Sequence, residues 1–145
     1  MREEKIRPIA ICICRDGDRI LVTEFCEKGR LYYRPLGGTI EFGERGEEAV
    51  RREFREEITV DLLQVRYVGM LENIYVNEGQ RGHEIVLVYD GRLSDTDVYK
   101  KEIIQGDELG SPFKAVWKRL DEFGPGKPPV YPDGLLELLN RRPLA

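Results

Sequence analysis

Histidine is nearly absent from this sequence: His83 stands alone among 145 residues. A single histidine is more often a strand-end or surface residue than a catalyst, so the chemistry has to be sought in other side chains. Cysteine is almost as scarce. Cys12, Cys14 and Cys26 are odd in number, which argues against a disulfide framework and suits a reducing compartment. Cys12 and Cys14 share one strand face and read as buried thiols, since a metal site would need further ligands. No apolar run approaches the roughly 20 residues that cross a bilayer, and the opening MREEKIRPIA lacks an apolar core of signal-peptide length. A cytoplasmic protein without a membrane partner is expected. Blocks of lysine or arginine are missing too: 23 basic and 27 acidic residues leave a net charge of -4, spread over both signs, so duplex nucleic acid is not an expected partner. Repeats, low-complexity tracts and linkers are absent, and residues 1–145 read as a single domain.

What is present is an ordinary globular balance, 41% hydrophobic and 34% charged residues. PIAICIC and ILVTEF flank Asp16-Gly17, a hairpin signal. LYYRPLGG reads as a strand stopped by Pro35, Gly37 and Gly38. Residues 46–58 contain no proline and abound in Glu, Arg, Ala and Phe, which predicts a helix. LLQVRYVGMLENIYV and HEIVLVYDGRL read as two long strands joined by the turn-rich NEGQRG, in a mixed and largely antiparallel sheet. SDTDVYKKEIIQGDELGSP reads as polar and irregular with a short helical turn, FKAVWKRL as a strand with Trp117 in the core, and GLLELLNRR as a terminal helix.

The helix carries the strongest signal. Val50, Phe54 and Ile58 repeat at i, i+4, i+8 and form an apolar stripe toward the core. Glu53, Glu56 and Glu57 stand at i, i+3, i+4 on an adjoining face. Glu47 and Glu48 need no function: they suit the N-terminal dipole, and each has an arginine four residues on, Arg51 and Arg52. The other three glutamates lie toward the C-terminal end, where the dipole opposes anions. Two readings stay open on geometry alone, a solvated face laced with ion pairs and a site for a hard divalent cation such as magnesium or manganese.

Residues 38–60, GTIEFGERGEEAVRREFREEITV, resemble the signature of the Nudix hydrolases, G-x5-E-x7-R-E-U-x-E-E-x-G-U. Gly38, Glu44, Arg52, Glu53, Phe54, Glu56, Glu57 and Val60 stand in register, and Thr59 replaces the second glycine. Because β-branched Thr59 should avoid the left-handed conformation that caps a helix, the helix exit is expected to differ. Leu36, set between Pro35 and the paired glycines, is expected to alter the preceding loop.

The resemblance implies an α/β Nudix fold, a mixed β-sheet sandwiched between helices. It also implies hydrolysis of a diphosphate in a nucleoside diphosphate-X type of substrate, a nucleotide-derived small molecule, with Mg2+ or Mn2+ and by water attack on phosphorus. By resemblance Gly38 (through its carbonyl), Glu53, Glu56 and Glu57 bind metal, and Glu53, Arg52 and Glu44 form the catalytic set, with Arg52 orienting carboxylates through Glu44 or a ligand. Glu53 ranks first as general base, with Glu84 and Glu108 as alternatives. Tyr33, Arg34 and Glu84 are the expected substrate-side residues. Tyr32, Tyr75 and Phe113 are further stacking candidates, and Arg7 and Arg81 further phosphate contacts. Homodimerisation is left open. A nucleotide-binding sensor of the same fold without turnover is the competing reading, and an acidic interaction module a third.

Overall fold

A computed structural model describes residues 3–141. Strand β1 (Ile6–Asp16) turns through Gly17, at φ 62, into β2 (Arg19–Glu27), as the Asp-Gly signal predicts. The two strands pair only at Arg15↔Ile20 and Asp16↔Arg19, then part company. From Ile6 to Cys14, β1 runs parallel to β6 (Gln80–Leu93), and on its other edge Ile9–Ile11 pair with β4 (Gly37–Thr39). Flanked on both edges and covered on both faces, β1 reads as an almost continuous apolar run. Ala10, Cys12 and Cys14 enter one core, while Ile9, Ile11 and Ile13 enter another on the opposite face.

Among the described residues the sheet has eight strands: β5 (Leu62–Asn77), β6, β1, β2, β8 (Ser111–Arg119) and β7 (Ile103–Glu108) lie in that order, with β3 (Arg30–Pro35) on β2 and β4 on β1. Strand β5 (Leu62–Asn77) returns into β6 through Glu78-Gly79, both at positive φ (51 and 77). Lys28-Gly29 (φ 51 and 78) does the same between β2 and β3, and Leu109-Gly110 (φ 48 and 87) between β7 (Ile103–Glu108) and β8 (Ser111–Arg119). A central pair with both φ positive matches the twist of antiparallel strands, which makes these tight hairpins. β7 corrects the irregular reading of its segment. It carries only one buried residue, Ile104, so its strand character comes from pairing with β8 rather than from any apolar alternation. The short helical turn ahead of it is a 3-10 turn at Thr96–Lys100.

Two α-helices complete the fold among the described residues. Helix α1 (Gly46–Ile58) buries Ala49, Val50 and Phe54 in the core that holds Ala10, Cys12 and Trp117, with Ile58 packed at its margin. Helix α2 (Leu135–Arg141) seats Leu135, Leu138 and Leu139 on the other core, with Ile11 and Val86; Arg142 of the predicted terminal helix lies outside the described residues.

Two local expectations meet different outcomes. Thr59 does take the left-handed conformation, φ 60 and ψ 40, and its N–H returns to the Phe54 carbonyl. The backbone cap is kept by a residue poorly suited to it, because the burial of Phe54 and Val60 on either side fixes the chain's course. Leu36 is the local change ahead of the helix: its side chain is buried and its carbonyl accepts from Cys12 N–H at 3.0 Å. Gly37 then lies so close to β1 that a Cβ there would sit 2.0 Å from the Ala10 carbonyl oxygen.

Candidate active site

Helix α1 and strand β4 bring the motif residues to one wall of a cavity of about 1000 Å³, lined there by Gly38, Glu41, Arg52, Glu53, Glu56 and Glu57. The apolar stripe of α1 determines this placement. With Val50 and Phe54 sealed in the core, the adjoining face that carries the glutamates is turned to the cavity beside β4. Gly38 backs directly onto the Glu53 carboxylate, where an added Cβ would lie 2.5 Å from Cδ, so only a residue without a side chain fits.

Arg52 organises the wall. Its guanidinium donates to Glu44 through Nε (2.7 Å) and Nη2 (2.9 Å), to Glu53 Oε1 through Nη1 (2.8 Å), and to the Thr39 carbonyl through Nη2 (3.0 Å). Glu56 Oε2 is a longer partner at 3.4 Å. The bond from Arg52 holds the Glu44 carboxyl below the usual carboxylate range, against a smaller opposing effect of burial, and these carboxylates in turn raise the guanidinium's pKa. Glu44 does not line the cavity; it reaches the site through Arg52 and anchors the loop by accepting from Glu41 N–H at 3.1 Å.

Glu57 is the unusual group. It is 7% exposed, and its Oε2 is buried with no hydrogen-bond partner among the described residues. Burial, a hydrogen bond with Glu53, and the charges of Glu53, Glu108 and Glu56 push its pKa up to about 9. A positive charge beside such a carboxyl would favour its ionised form. Among the described residues no three His, Cys, Asp or Glu side chains converge tightly enough to hold an ion; Arg52 instead draws one oxygen each of Glu53 and Glu56. The donor set nonetheless fits a hard divalent ion, because the orphaned Glu57 oxygen and the cradle that Gly38 forms around Glu53 meet at one wall and every donor is oxygen.

The same cavity is also lined by Arg7, Arg34 and Glu84. Glu84 is fully buried between the two arginines, with Asn73 and Tyr75 as further donors. Sequence reading placed Glu84 near the site but missed Asn73, whose burial deep in β5 is the only signal it offers. Glu108, at the end of β7, and Phe113 of β8 also line the cavity. Tyr33 does not. It is 3% exposed in the α2-side core, edge-on to Phe123, because its neighbours Tyr32 and Arg34 take the other face of β3. Tyr32 and Tyr75 are likewise absent from the lining, and Arg81 is an exposed partner of Glu4 at 2.8 Å. His83 is half-buried in β6, and Trp117 is in the core, where it donates to the Val98 carbonyl at 3.1 Å.

The NUDIX domain family matches residues 5–135, and the chain belongs to that family. Among curated proteins the chain is similar to the NAD-capped RNA hydrolase NudC of Mycobacterium tuberculosis, with 38% identity over 66 residues. That match takes in 45% of this chain and 21% of the relative, so the chain spans about a fifth of the length of the protein it matches. Among solved structures, a MutT NUDIX hydrolase from Burkholderia pseudomallei superposes with a TM-score of 0.68 at 18% identity, covering 96% of this chain and 99% of that one. The E. coli ORF135 protein gives a TM-score of 0.57 at 21% identity over 97% and 96% of the two chains. At such identities the structural likeness shows the fold. No described helix is long and apolar enough to cross a membrane.

Proposed function

We propose that this protein hydrolyses a diphosphate linkage in a nucleotide-derived substrate of the nucleoside diphosphate-X type, with a divalent cation and by attack of water on phosphorus. The observation that carries the reading is Glu57: a buried carboxyl with an unpartnered oxygen, crowded by Glu53, Glu56 and Glu108 at the wall of a cavity large enough for a nucleotide. Glu53, Glu56 and Glu57 with the Gly38 carbonyl would hold magnesium or manganese, which supplies neutralisation of the diphosphate and acidification of water. Arg52, tied to Glu44, fixes the direction of the Glu53 carboxylate. Glu53 is favoured as general base, since it lies against Gly38 and lines the cavity. Glu108 is exposed and lines the same cavity. Glu84 is a poor base: Arg34, Arg7 and Asn73 outweigh the cost of its burial and lower its pKa.

A panel of nucleoside diphosphate sugars, ADP-ribose and dinucleoside polyphosphates, incubated with magnesium or manganese in 18O-water, tests the reading. Cleavage with label on a phosphate product is expected, and chelator should stop it. Label confined to the alcohol or sugar product, or full activity in excess chelator, overturns the mechanism. Binding without turnover would leave a sensor.

A further inference from the structure

Away from the motif glutamates the cavity lining holds two arginines, Arg7 and Arg34, gathered on Glu84, with Glu24, Asp107 and Glu108 elsewhere in the lining. Glu84 is 0% exposed and its carboxylate is fully engaged. Oε2 accepts from Arg7 Nη2 at 2.7 Å and the Tyr75 hydroxyl at 3.4 Å, while Oε1 accepts from Arg34 Nη2 at 3.0 Å and Asn73 Nδ2 at 3.2 Å. Asn73 is itself fixed, because its Oδ1 accepts from Asp133 N–H at 3.3 Å and so leaves the amide nitrogen for Glu84. A buried carboxylate needs a partner, but Arg34 and Arg7 together exceed that need by one positive charge.

The surplus faces the cavity. Each guanidinium carries several N–H donors in a rigid fork, and Glu84 engages one nitrogen of each. Among the described residues no other protein acceptor meets either group, and both side chains, 29% and 26% exposed, line the cavity. Glu84 thus acts as a positioning residue that holds two forks with free donors toward the substrate space.

Strand register gives the backbone separation of the two sets of residues. On β1, Arg7 stands opposite Glu84, and Ala10 stands opposite Gly38, the glycine against Glu53. Three residues of extended chain separate these positions by about 10 Å. The two groups therefore rise from backbone positions further apart than the adjacent phosphorus atoms of one diphosphate, which leaves room at the arginines for a second anionic group of the substrate.

We propose that Arg7 and Arg34, positioned by Glu84, bind a phosphate monoester that the substrate carries in addition to the diphosphate it presents for cleavage. Planar guanidinium forks suit phosphate oxygens, and the excess positive charge favours an anion over the neutral acceptor edge of a base. The kinetic part of the test rests on the hydrolase reading; the binding part does not.

Without metal the glutamate wall repels anions, so phosphate binding to the chelator-treated protein reports the arginines. Inorganic phosphate is expected to raise the melting temperature of wild-type protein saturably, beyond chloride of equal ionic strength, and Arg34→Met and Arg7→Met should each abolish that rise. In the kinetic arm, with magnesium, kcat/KM should favour NADP over NAD and coenzyme A over dephospho-coenzyme A by about tenfold or more, the worth of one charge-assisted hydrogen bond. Arg34→Met should collapse those ratios toward unity. Phosphate stabilisation that requires the arginines, in a protein that cleaves none of these compounds, would support the phosphate site and remove the hydrolase reading. Cleavage without preference for the phosphorylated member of either pair, no phosphate effect on the wild type, or an effect that survives both substitutions would overturn the proposal. The wild-type arms decide the matter even if a variant fails to fold.

Discussion

The guanidinium of Arg52 grips the carboxylate of Glu44 by two parallel bonds, Nε to Oε2 at 2.7 Å and Nη2 to Oε1 at 2.9 Å. This fork leaves Nη1 for Glu53 Oε1 at 2.8 Å, so the geometry of a loop residue outside the cavity is passed to a carboxylate inside it. Lysine at position 52 would keep the charge but could not form the fork. Arg52→Lys is therefore expected to lower kcat by about 10–100-fold, the usual cost of losing a partner that orients a ligand, and Glu44→Gln to lower it less. Steady-state kinetics beside melting curves separate this from misfolding. Near-normal kcat in folded Arg52→Lys would show that the fork positions nothing.

Phe54 is fully buried beneath the glutamate face and fixes the rotation of α1. Phe54→Ala should destabilise the fold by about 3–5 kcal/mol, the cost of emptying a buried aromatic site. Chemical denaturation measures it. An unchanged midpoint would mean that the helix does not depend on this stripe for its orientation.

Much of this frame was legible in the chain. The proline-free run 46–58, rich in Glu, Arg, Ala and Phe, marked α1, the i, i+4, i+8 stripe of Val50, Phe54 and Ile58 marked its inward face, and Asp16-Gly17 marked the first hairpin. The rest depends on contacts between segments distant in sequence. β7 is an exposed strand held by β8, so its residues carry no alternation to read. Tyr33 and Arg34 are adjacent and expose opposite faces, and only the pairing of β3 with β2 shows that the arginine meets the cavity while the tyrosine meets Phe123. Glu84 and Arg7 become partners through the parallel register of β1 and β6, a relation between residues 77 positions apart.

Thr59 holds the left-handed cap position at φ 60. A β-branched residue there pays a steric cost of roughly 1–2 kcal/mol, which glycine avoids while giving back part of the gain to the unfolded chain's greater freedom. Thr59→Gly is expected to stabilise by about 0.5–1 kcal/mol and leave kcat unchanged, since residue 59 touches nothing in the cavity. Thermal melts check the sign; a lower midpoint would show that the cap carries no strain.

Glu84 should make the fold acid-sensitive. Burial raises its pKa, but Arg34, Arg7 and Asn73 outweigh burial, so the folded value lies below the unfolded one of about 4.5. The native state then binds fewer protons than the unfolded chain in that range, and the stability contributed is complete above the unfolded value and lost as pH falls through the folded one. Wild-type protein is expected to lose stability more steeply below pH 4.5 than Glu84→Gln, with both measured by urea denaturation in the same buffers. Parallel curves would mean that Glu84 titrates alike in both states.

Glu57 gives the opposite sign. Burial, the bond with Glu53 and the charges of Glu53, Glu108 and Glu56 raise its pKa from 4.5 to about 9, so between those values the metal-free native state holds a proton that the unfolded chain has released. Stability in chelator should therefore fall as pH rises across that window. Glu57→Gln copies the protonated carboxyl in shape and neutrality, and in chelator it should melt near or above wild type at pH 7 and lose the slope. Turnover should respond the other way. With the buried oxygen replaced by an amide, activity at saturating magnesium is expected to drop by about 100-fold or more, and magnesium should no longer raise the melting temperature as it does in wild type. If the variant turns over normally, or if magnesium stabilises both proteins equally, Glu57 holds no cation and the site must be assigned afresh.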